Sequence, residues 1–215
     1  MAARVVTIAQ QKGGAGKTTV VAQLACALAK KGRSVGLLDT DPQQSLSAWF
    51  AVRREGGHVE DLPIELKAAE GWRITTELDR LKRECDIVLL DSPPHAEQAT
   101  KTSIRSAELV LVPVQLSPMD LWATRATLEI AQAERRPILV VPNRVPSRGR
   151  LGETVKDILE KEKLPVAVAE LGNRQAFAAS LMEGRGVVET EPSSLAAEEI
   201  AALANEVWRK LAALR

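Results

Sequence analysis

The chain has 215 residues, and its 29 basic and 28 acidic side chains give a formal net charge of +1 at pH 7. This length suits a single domain over residues 1–215 with a substantial core, and the balanced charge leaves only a local patch for any nucleic acid. An aromatic content of 3% without Tyr argues against stacking platforms for single strands. No bilayer-spanning run and no secretory signal are predicted. Cys26 and Cys85 lack metal or disulfide spacing, so we expect both thiols to be reduced, in the cytosol.

Short apolar segments alternate with helical patterns along the chain. The predicted strands are Val5–Ala9, Val35–Leu38, Ile87–Leu90, Leu109–Val114 and Ile138–Val141, with Ile64–Ala68 as a candidate edge strand. The predicted helices are Thr18–Lys31, Gln44–Arg54, Ile74–Arg83, Met119–Glu134, Leu151–Lys163, Gln175–Met182 and Ser194–Leu214. Nearly continuous apolar strands are typical of a parallel sheet that is buried on both faces. The alternation therefore predicts a doubly wound α/β fold with helices on both faces, whose ligands bind at the carboxyl ends of the strands.

A glycine-rich turn joins the first predicted strand to the first helix. It reads Lys12-Gly13-Gly14-Ala15-Gly16-Lys17-Thr18-Thr19. Glycines allow backbone N–H groups to face inward, and the helix that follows adds its positive N-terminal end. In this pattern Lys17 reaches the β- and γ-phosphates and the Thr18 hydroxyl binds Mg²⁺. The segment predicts a binding site for a nucleoside triphosphate.

Carboxylates follow two of the predicted strands. Asp39 and Asp41 come directly after Val35–Leu38, and Asp91 comes directly after Ile87–Leu90. Phosphoryl transfer needs acids that manage Mg²⁺ and orient the attacking water. A turn or a strand-end cap would explain either motif alone, but the upstream phosphate loop favours Asp91 as the Walker B acid at the metal.

The loop departs from the general P-loop pattern, because Gln11 replaces its first glycine and Lys12 is a second lysine. Lys-Gly-Gly-x-Gly-Lys-Thr is the deviant Walker A motif, and Asp-x-Asp-Pro-Gln follows the second strand. Over nearly its whole length the chain resembles the ParA/MinD family of ATPases, and most closely the short ParA type without an N-terminal helix-turn-helix. The resemblance implies ATP and Mg²⁺ as cofactors, slow partner-stimulated ATP hydrolysis, and these site residues: Lys12, Lys17 and Asp41 as catalytic; Gly13, Gly14, Ala15, Gly16, Lys17, Thr18, Thr19 and Asn143 at the nucleotide; Thr18, Asp39 and Asp91 at the metal.

The resemblance gives the second lysine a role in dimer formation. In the family, this lysine reaches the partner's nucleotide, so that two ATPs are sandwiched between two subunits; a solvated lysine balancing phosphate charge is the alternative for Lys12. Such ATP-bound homodimers bind double-stranded DNA non-specifically, and a ParB-like or other adaptor activates their hydrolysis. The expected job is to segregate or position plasmid, chromosome or protein cargo, in the cytoplasm and on the nucleoid.

Four arginines are candidates for DNA contact. Arg144, Arg148 and Arg150 lie in an acid-free loop after the strand Ile138–Val141, and Arg174 matches a DNA-contacting arginine of the family. Arg side chains position a protein on duplex phosphates without reading the sequence. A solvated charged face is the alternative.

Two other functions share these motifs. A MinD-like membrane switch would use the tail helix, whose Leu203, Val207, Leu211 and Leu214 share one face, although three acids in that helix argue against membrane binding. Core packing would produce the same spacing. A metabolic ligase on the same P-loop scaffold is the second alternative, since a fold alone does not decide function.

Overall fold

The computed structural model describes residues 3–94, 97–147, 155, 157–159 and 161–214. Six strands form one sheet in the order β3-β2-β4-β1-β5-β6, and every neighbouring pair is parallel. The strands are β1 Arg4–Ile8, β2 Val35–Asp39, β3 Ile64–Ala68, β4 Ile87–Asp91, β5 Leu109–Gln115 and β6 Ile138–Asn143. Because all six point the same way, their carboxyl ends meet at one edge of the sheet.

Helices connect the strands and continue after the last one. They are α1 Lys17–Lys30, α2 Ser45–Glu55, α3 Arg73–Glu84, α4 Glu97–Ser106, α5 Pro118–Ala133, α6 Gln175–Met182, α7 Val187–Thr190 and α8 Leu195–Ala213. Residues 155, 157–159 and 161 are also helical, within the predicted helix Leu151–Lys163, whose residues 151–154, 156 and 160 lie outside the described part.

Both faces of the sheet are covered, as the continuous apolar strands predict. On one face, Val6 and Ile8 of β1 join a core formed by α1, α2, α6, α7 and α8. On the other face, Val5 packs with α3, and Val110, Val112 and Val114 of β5 pack with α4, α5 and the helical residues 155 and 159. The predicted doubly wound α/β fold is confirmed.

The predicted strands are all present, and Ile64–Ala68 is the edge strand that its half-exposed pattern indicates. Two helices, α4 and α7, were not predicted. Helix α4 buries Thr100 and Ser103 as well as Ile104, so it shows no apolar stripe in the sequence. Helix α7 has only four residues, too few for a helical period.

The tail helix α8 packs against α1 in the core. Its N-cap Ser194 accepts a hydrogen bond from Ala197 N at 3.2 Å. Leu203, Val207 and Leu211 are fully buried, so three of the four residues in the proposed membrane-facing stripe serve the core instead. Among the described helices, none has both the length and the apolar character needed to cross a membrane.

Candidate nucleotide-binding site

The loop between β1 and α1 forms a cradle of backbone N–H groups. Gly14 and Gly16 have φ of 78° and 86°, a left-handed conformation that glycine adopts without strain. Gly16 is the N-cap of α1 and offers no side chain to cap its first N–H groups, which leaves them free for an anion. Lys17 is buried at the base, where its Nζ donates to Gln10 O at 3.0 Å. Burial lowers the pKa of Lys17, although the carboxylates of Asp91 and Asp41 oppose the shift.

Side chains from neighbouring elements hold the carbonyls of the loop. Gly14 O accepts from Gln115 Nε2 at 3.1 Å and from Arg144 Nη1 at 3.2 Å, while Ala15 O accepts from Asn143 Nδ2 at 2.8 Å. Since these carbonyls are engaged outside the loop, its N–H groups are left to face the cradle. The ends of β5 and β6 therefore preorganise the loop for phosphate.

Thr18 and Asp91 form a pair of oxygen donors beside the cradle. Thr18 Oγ1 donates to Asp91 Oδ2 at 2.6 Å, and Asp91 is fully buried at the end of β4. Its Oδ1 is buried and has no hydrogen-bond partner among the described residues. Burial raises the pKa of Asp91 to about 7, against the hydrogen bond from Thr18 that lowers it. A buried carboxylate oxygen without a partner beside a threonine hydroxyl fits a hard divalent cation such as Mg²⁺.

Asp39 and Asp41 have different surroundings at the end of β2. Asp39 is buried, and its carboxylate accepts from Asp41 N at 3.2 Å and from the backbone N and hydroxyl of Ser47 in α2. Asp41 is half-buried, accepts from Gln43 N at 2.9 Å, and lines the cavity at the phosphate loop. Asp39 thus fixes the segment that presents Asp41; its direct role at the metal stays a prediction.

Two adjoining cavities match the parts of a nucleotide. One of ≈ 190 Å³ is lined by the phosphate loop and Asp41, and another of ≈ 380 Å³ lies between Asn143 and residues 172–175. Gly16, Thr19 and Arg144 line both cavities, which are therefore contiguous. The larger cavity adjoins the phosphate cavity, where the nucleoside of a bound nucleotide is expected to lie. Asn143 lies at its wall, but its role in reading adenine stays a prediction.

Gly16 is in close contact with Asn143, and this contact yields a test of the site. A Cβ at Gly16 would lie 2.6 Å from Asn143 Nδ2, whereas one at Gly14 would meet nothing within 4 Å. Both positions have positive φ, so Gly14→Ala should cost about 1–2 kcal/mol from backbone strain alone. Gly16→Ala should cost about 1–3 kcal/mol more, because Asn143 must move, and should weaken nucleotide binding. Urea unfolding and titration with a fluorescent ATP analogue measure both effects.

The control for this test is to repeat both glycine substitutions in an Asn143→Ala background. In that background the extra cost of Gly16→Ala over Gly14→Ala should disappear. Equal costs for the two glycine variants in the otherwise unaltered chain would show that Asn143 does not constrain the loop.

Lys12 lies outside the cradle that holds Lys17. Its Nζ donates to Asp120 Oδ1 at 2.8 Å in the first turn of α5, and 37% of its side chain remains exposed. Asp120 also accepts from the hydroxyl of Ser117, the N-cap of α5. The two lysines of the loop therefore have separate surroundings, one buried at the phosphate site and one at its rim.

Gln10 is a site residue that sequence reasoning missed. It is buried at the end of β1; its Nε2 donates to Thr124 Oγ1 at 2.9 Å, and its Oε1 accepts from Thr127 Oγ1 and from Lys12 N. These bonds attach the start of the loop to α5, the helix that holds Lys12 through Asp120. A glutamine directly after the predicted apolar strand was the available signal, since an amide buried there needs partners.

The arginines predicted for DNA contact have other partners here. Arg144 is exposed, with its guanidinium on Gly14 O at the nucleotide cavity. Arg174 is half-buried, and its Nε donates to Glu199 Oε2 at 2.9 Å. Arg148 and Arg150 lie outside the described residues. The contacts of Arg144 favour a role at the nucleotide, and DNA binding by all four stays a prediction.

A phosphate cradle, a Walker B carboxylate and a second lysine on a parallel sheet define a P-loop nucleotide-binding protein of the deviant Walker A class. The family model described as VirC1 protein matches residues 3–212, so the chain belongs to the VirC1 family and is a ParA/MinD-type ATPase. It is 31% identical to the chromosome-partitioning ATPase Soj of Thermus thermophilus, over 97% of this chain and 96% of Soj. It is 29% identical to the maintenance of carboxysome distribution protein A of Halothiobacillus neapolitanus, over 93% of this chain and 94% of that protein.

Solved structures show the same fold. A complex of a Cyanothece McdA variant with ATP superposes with a TM-score of 0.78 at 20% identity, covering 95% of each chain. The septum site-determining protein MinD of Pyrococcus horikoshii, complexed with Mg-ADP, gives a TM-score of 0.75 at 23% identity and covers 95% of this chain and 96% of its own. The family assignment favours a positioning ATPase over the metabolic-ligase alternative.

Proposed function

We propose that the chain is a Mg²⁺-dependent ATPase that closes into a homodimer around two ATPs and, in that state, binds duplex DNA non-specifically to position a cargo. The observation that carries the proposal is the separation of its two lysines. Lys17 serves the phosphates of its own subunit from inside the cradle, while Lys12 stands at the rim, where a second subunit could meet it. A cation supplied across an interface makes the dimer depend on the γ-phosphate, as an arginine finger does.

The residues at the cradle suit slow hydrolysis of a bound triphosphate. Thr18 and Asp91 would hold Mg²⁺, which neutralises charge on the β- and γ-phosphates when bound. Asp41 reaches the cavity from a segment fixed by Asp39 and α2, so its carboxylate can orient a water molecule. Hydrolysis removes the phosphate that holds the subunits together, and the dimer then opens. An activating adaptor would act on this step.

The DNA part of the proposal depends on the arginines that follow β6. Arg174 carries less weight than the loop arginines, because Glu199 already neutralises it. Dimer formation would double any phosphate-binding patch, so affinity for duplex DNA should rise steeply with ATP. The cargo is a plasmid, a chromosome or a protein assembly, the classes that this family positions.

The test uses Asp41→Ala, which should trap the ATP-bound dimer by slowing hydrolysis. Fluorescence anisotropy with an arbitrary labelled duplex is measured with ATP, with ADP and without nucleotide, at two salt concentrations. We expect binding only with ATP, and weaker binding at the higher salt because phosphate contacts release counterions. Arg148→Glu combined with Arg150→Glu should weaken this binding without changing ATP hydrolysis in the absence of DNA.

Light scattering on the same samples separates the two parts of the proposal. A verified ATP dimer that fails to bind duplex even at low salt would remove the DNA part and leave the switch. A monomer in all three nucleotide states would contradict the switch itself.

A further inference from the structure

A second concave site lies between α1 and α8. It encloses ≈ 660 Å³, more than either cavity at the nucleotide, and no role has been assigned to it above. Helix α1 has 14 residues and starts at the phosphate loop, so its far end lies about 20 Å from that loop. The cavity is lined by Leu28 near the end of α1, by Lys31 and Arg33 in the turn that follows, and by residues 204–209 of α8, so it lies at the opposite end of the sheet from the nucleotide.

Three cations and an indole line this cavity. Lys31 and Arg209 are exposed, and the guanidinium of Arg33 lies 4.1 Å from the ring centroid of Trp208. Stacking on an indole holds a guanidinium in place and leaves its N–H edge available for a carboxylate. Within the described part of the chain, none of the three cations forms a salt bridge. Three cations are therefore concentrated at this cavity, and the charge of Asp86 offsets only part of that of Arg33.

Two acids associated with these cations, Asp86 and Glu206, have hydrogen-bond partners elsewhere. Asp86, whose charge interacts with Arg33, accepts from the backbone N and the hydroxyl of Ser34 at 2.9 and 3.0 Å. Glu206 of α8 accepts from Val168 N and Ala169 N, both at 3.0 Å. Both carboxylates therefore have partners outside the cavity, and among the described residues neither forms a salt bridge with its three cations.

We propose that this cavity is a docking site for an acidic segment of a partner protein, in which an apolar side chain is flanked by Asp or Glu. The cations supply charge complementarity for the carboxylates. The half-buried indole of Trp208, backed by the fully buried Leu28 and Ala204, is the apolar surface that a flanked Leu or Phe would cover. Aromatic and arginine side chains together are typical of the energetically important centres of protein interfaces.

Duplex DNA and a membrane fit this site less well. A DNA backbone gains no binding energy from the apolar surface of the cavity. Its phosphates also follow a line, which three cations grouped around a concavity do not match. A membrane anchor would insert its indole, but Arg33 covers one face of Trp208. The inference goes beyond the proposed function. If the dimer closes across the nucleotide edge, the α1–α8 cavity of each subunit remains at an outer end of the dimer and stays open in either nucleotide state.

Peptide binding is tested on the nucleotide-free chain, so that the result does not depend on whether the proposed dimer forms. A set of fluorescein-labelled peptides rich in Asp and Glu, with Leu or Phe at varied spacing, is titrated by anisotropy. Matching peptides with Lys in place of the acids and a labelled DNA duplex are measured alongside. We expect at least one acidic peptide to bind in a salt-sensitive way, and the Lys peptides to fail.

Charge reversal locates the binding. Arg33→Glu combined with Arg209→Glu should weaken the peptide about tenfold or more, and Lys31→Glu, at an exposed position, should act in the same direction. Arg54→Glu, an exposed arginine of α2 outside the cavity, is the matched control and should change affinity less than about twofold. Unchanged circular dichroism and unchanged affinity for a fluorescent ATP analogue show that the variants are folded.

Three results would overturn the proposal. The first is that no acidic peptide of the set binds the unaltered chain. The second is that the cavity variants bind the peptide as tightly as Arg54→Glu does. The third is that, measured with ATP in the Asp41→Ala background, the cavity variants lose duplex DNA while the peptides bind equally well to all chains, which would assign the cavity to nucleic acid.

Discussion

Glu189→Ala should destabilise the fold by about 3–5 kcal/mol, because it leaves a charge buried without its partner. Arg53 of α2 is fully buried, and 3% of the Glu189 side chain is exposed. The two guanidinium Nη atoms donate to the two carboxylate oxygens at 3.0 and 2.9 Å, and Nη1 also donates to Gly184 O at 3.1 Å. The pair thus attaches α2, which follows Asp41, to α7, and the bond to Gly184 O adds the turn that leads into α7. Urea unfolding followed by circular dichroism measures the loss.

A double variant distinguishes an unpaired charge from a general packing defect. Arg53→Met combined with Glu189→Leu removes both charges and should recover most of the stability lost in Glu189→Ala, since apolar replacement of a buried pair is often neutral. Arg105→Ala removes an ion pair between a largely exposed guanidinium and Glu134, and should leave the unfolding midpoint unchanged within error. A double variant less stable than Glu189→Ala would contradict the electrostatic explanation.

The same pair predicts a pH dependence. Burial raises the pKa of Glu189, but hydrogen bonds from Arg53 and Gly186 N outweigh it, and the net pKa lies below the ordinary value of 4.5. Because the folded pKa is depressed, the contribution of the pair is fully present above the unfolded pKa and is lost as the pH falls through the folded one. The difference in unfolding free energy between the unaltered chain and Glu189→Ala should therefore shrink below pH 4.5.

The parts of the site that could be predicted from sequence are those whose chemistry is contiguous in the chain. The phosphate loop, Asp91 at the end of β4 and the alternation of strands and helices each depend on residue types at short, fixed spacing. Such patterns survive in a sequence because the backbone brings their members together without help from distant segments.

The parts that could not be predicted depend on partners far apart in the chain. Lys12 and Asp120 are separated by 108 positions, and Arg53 and Glu189 by 136. A single sequence gives no sign that two such charges meet, since each alone reads as an ordinary surface residue. Gln10 is similar, because its threonine partners in α5 are identified only when β1 and α5 are seen to be adjacent.

Lys12→Ala should abolish ATP-dependent dimers while leaving nucleotide binding by the monomer largely intact. Lys17, the loop N–H groups, Thr18 and Asp91 are all independent of Lys12, so the phosphate site of a single subunit is preserved. The dimer, however, loses the cation that would reach the partner's nucleotide, a contribution comparable to an arginine finger. Light scattering with ATP in the Asp41→Ala background measures dimers, and a fluorescent ATP analogue measures monomer affinity.

Asp120→Asn is the matched control. It tests the alternative explanation, in which Lys12 acts only through its ion pair with Asp120 within the same subunit. The change keeps the shape of the side chain at the start of α5 but removes the charge that holds the Lys12 ammonium at 2.8 Å. If Lys12 acts across the interface, Asp120→Asn should dimerise with ATP at least as readily as the unaltered chain, since the lysine no longer has to leave a carboxylate. Loss of dimers in both variants would instead assign the effect to the ion pair and to the position of α5. Normal dimers in Lys12→Ala would contradict the role in the partner subunit altogether.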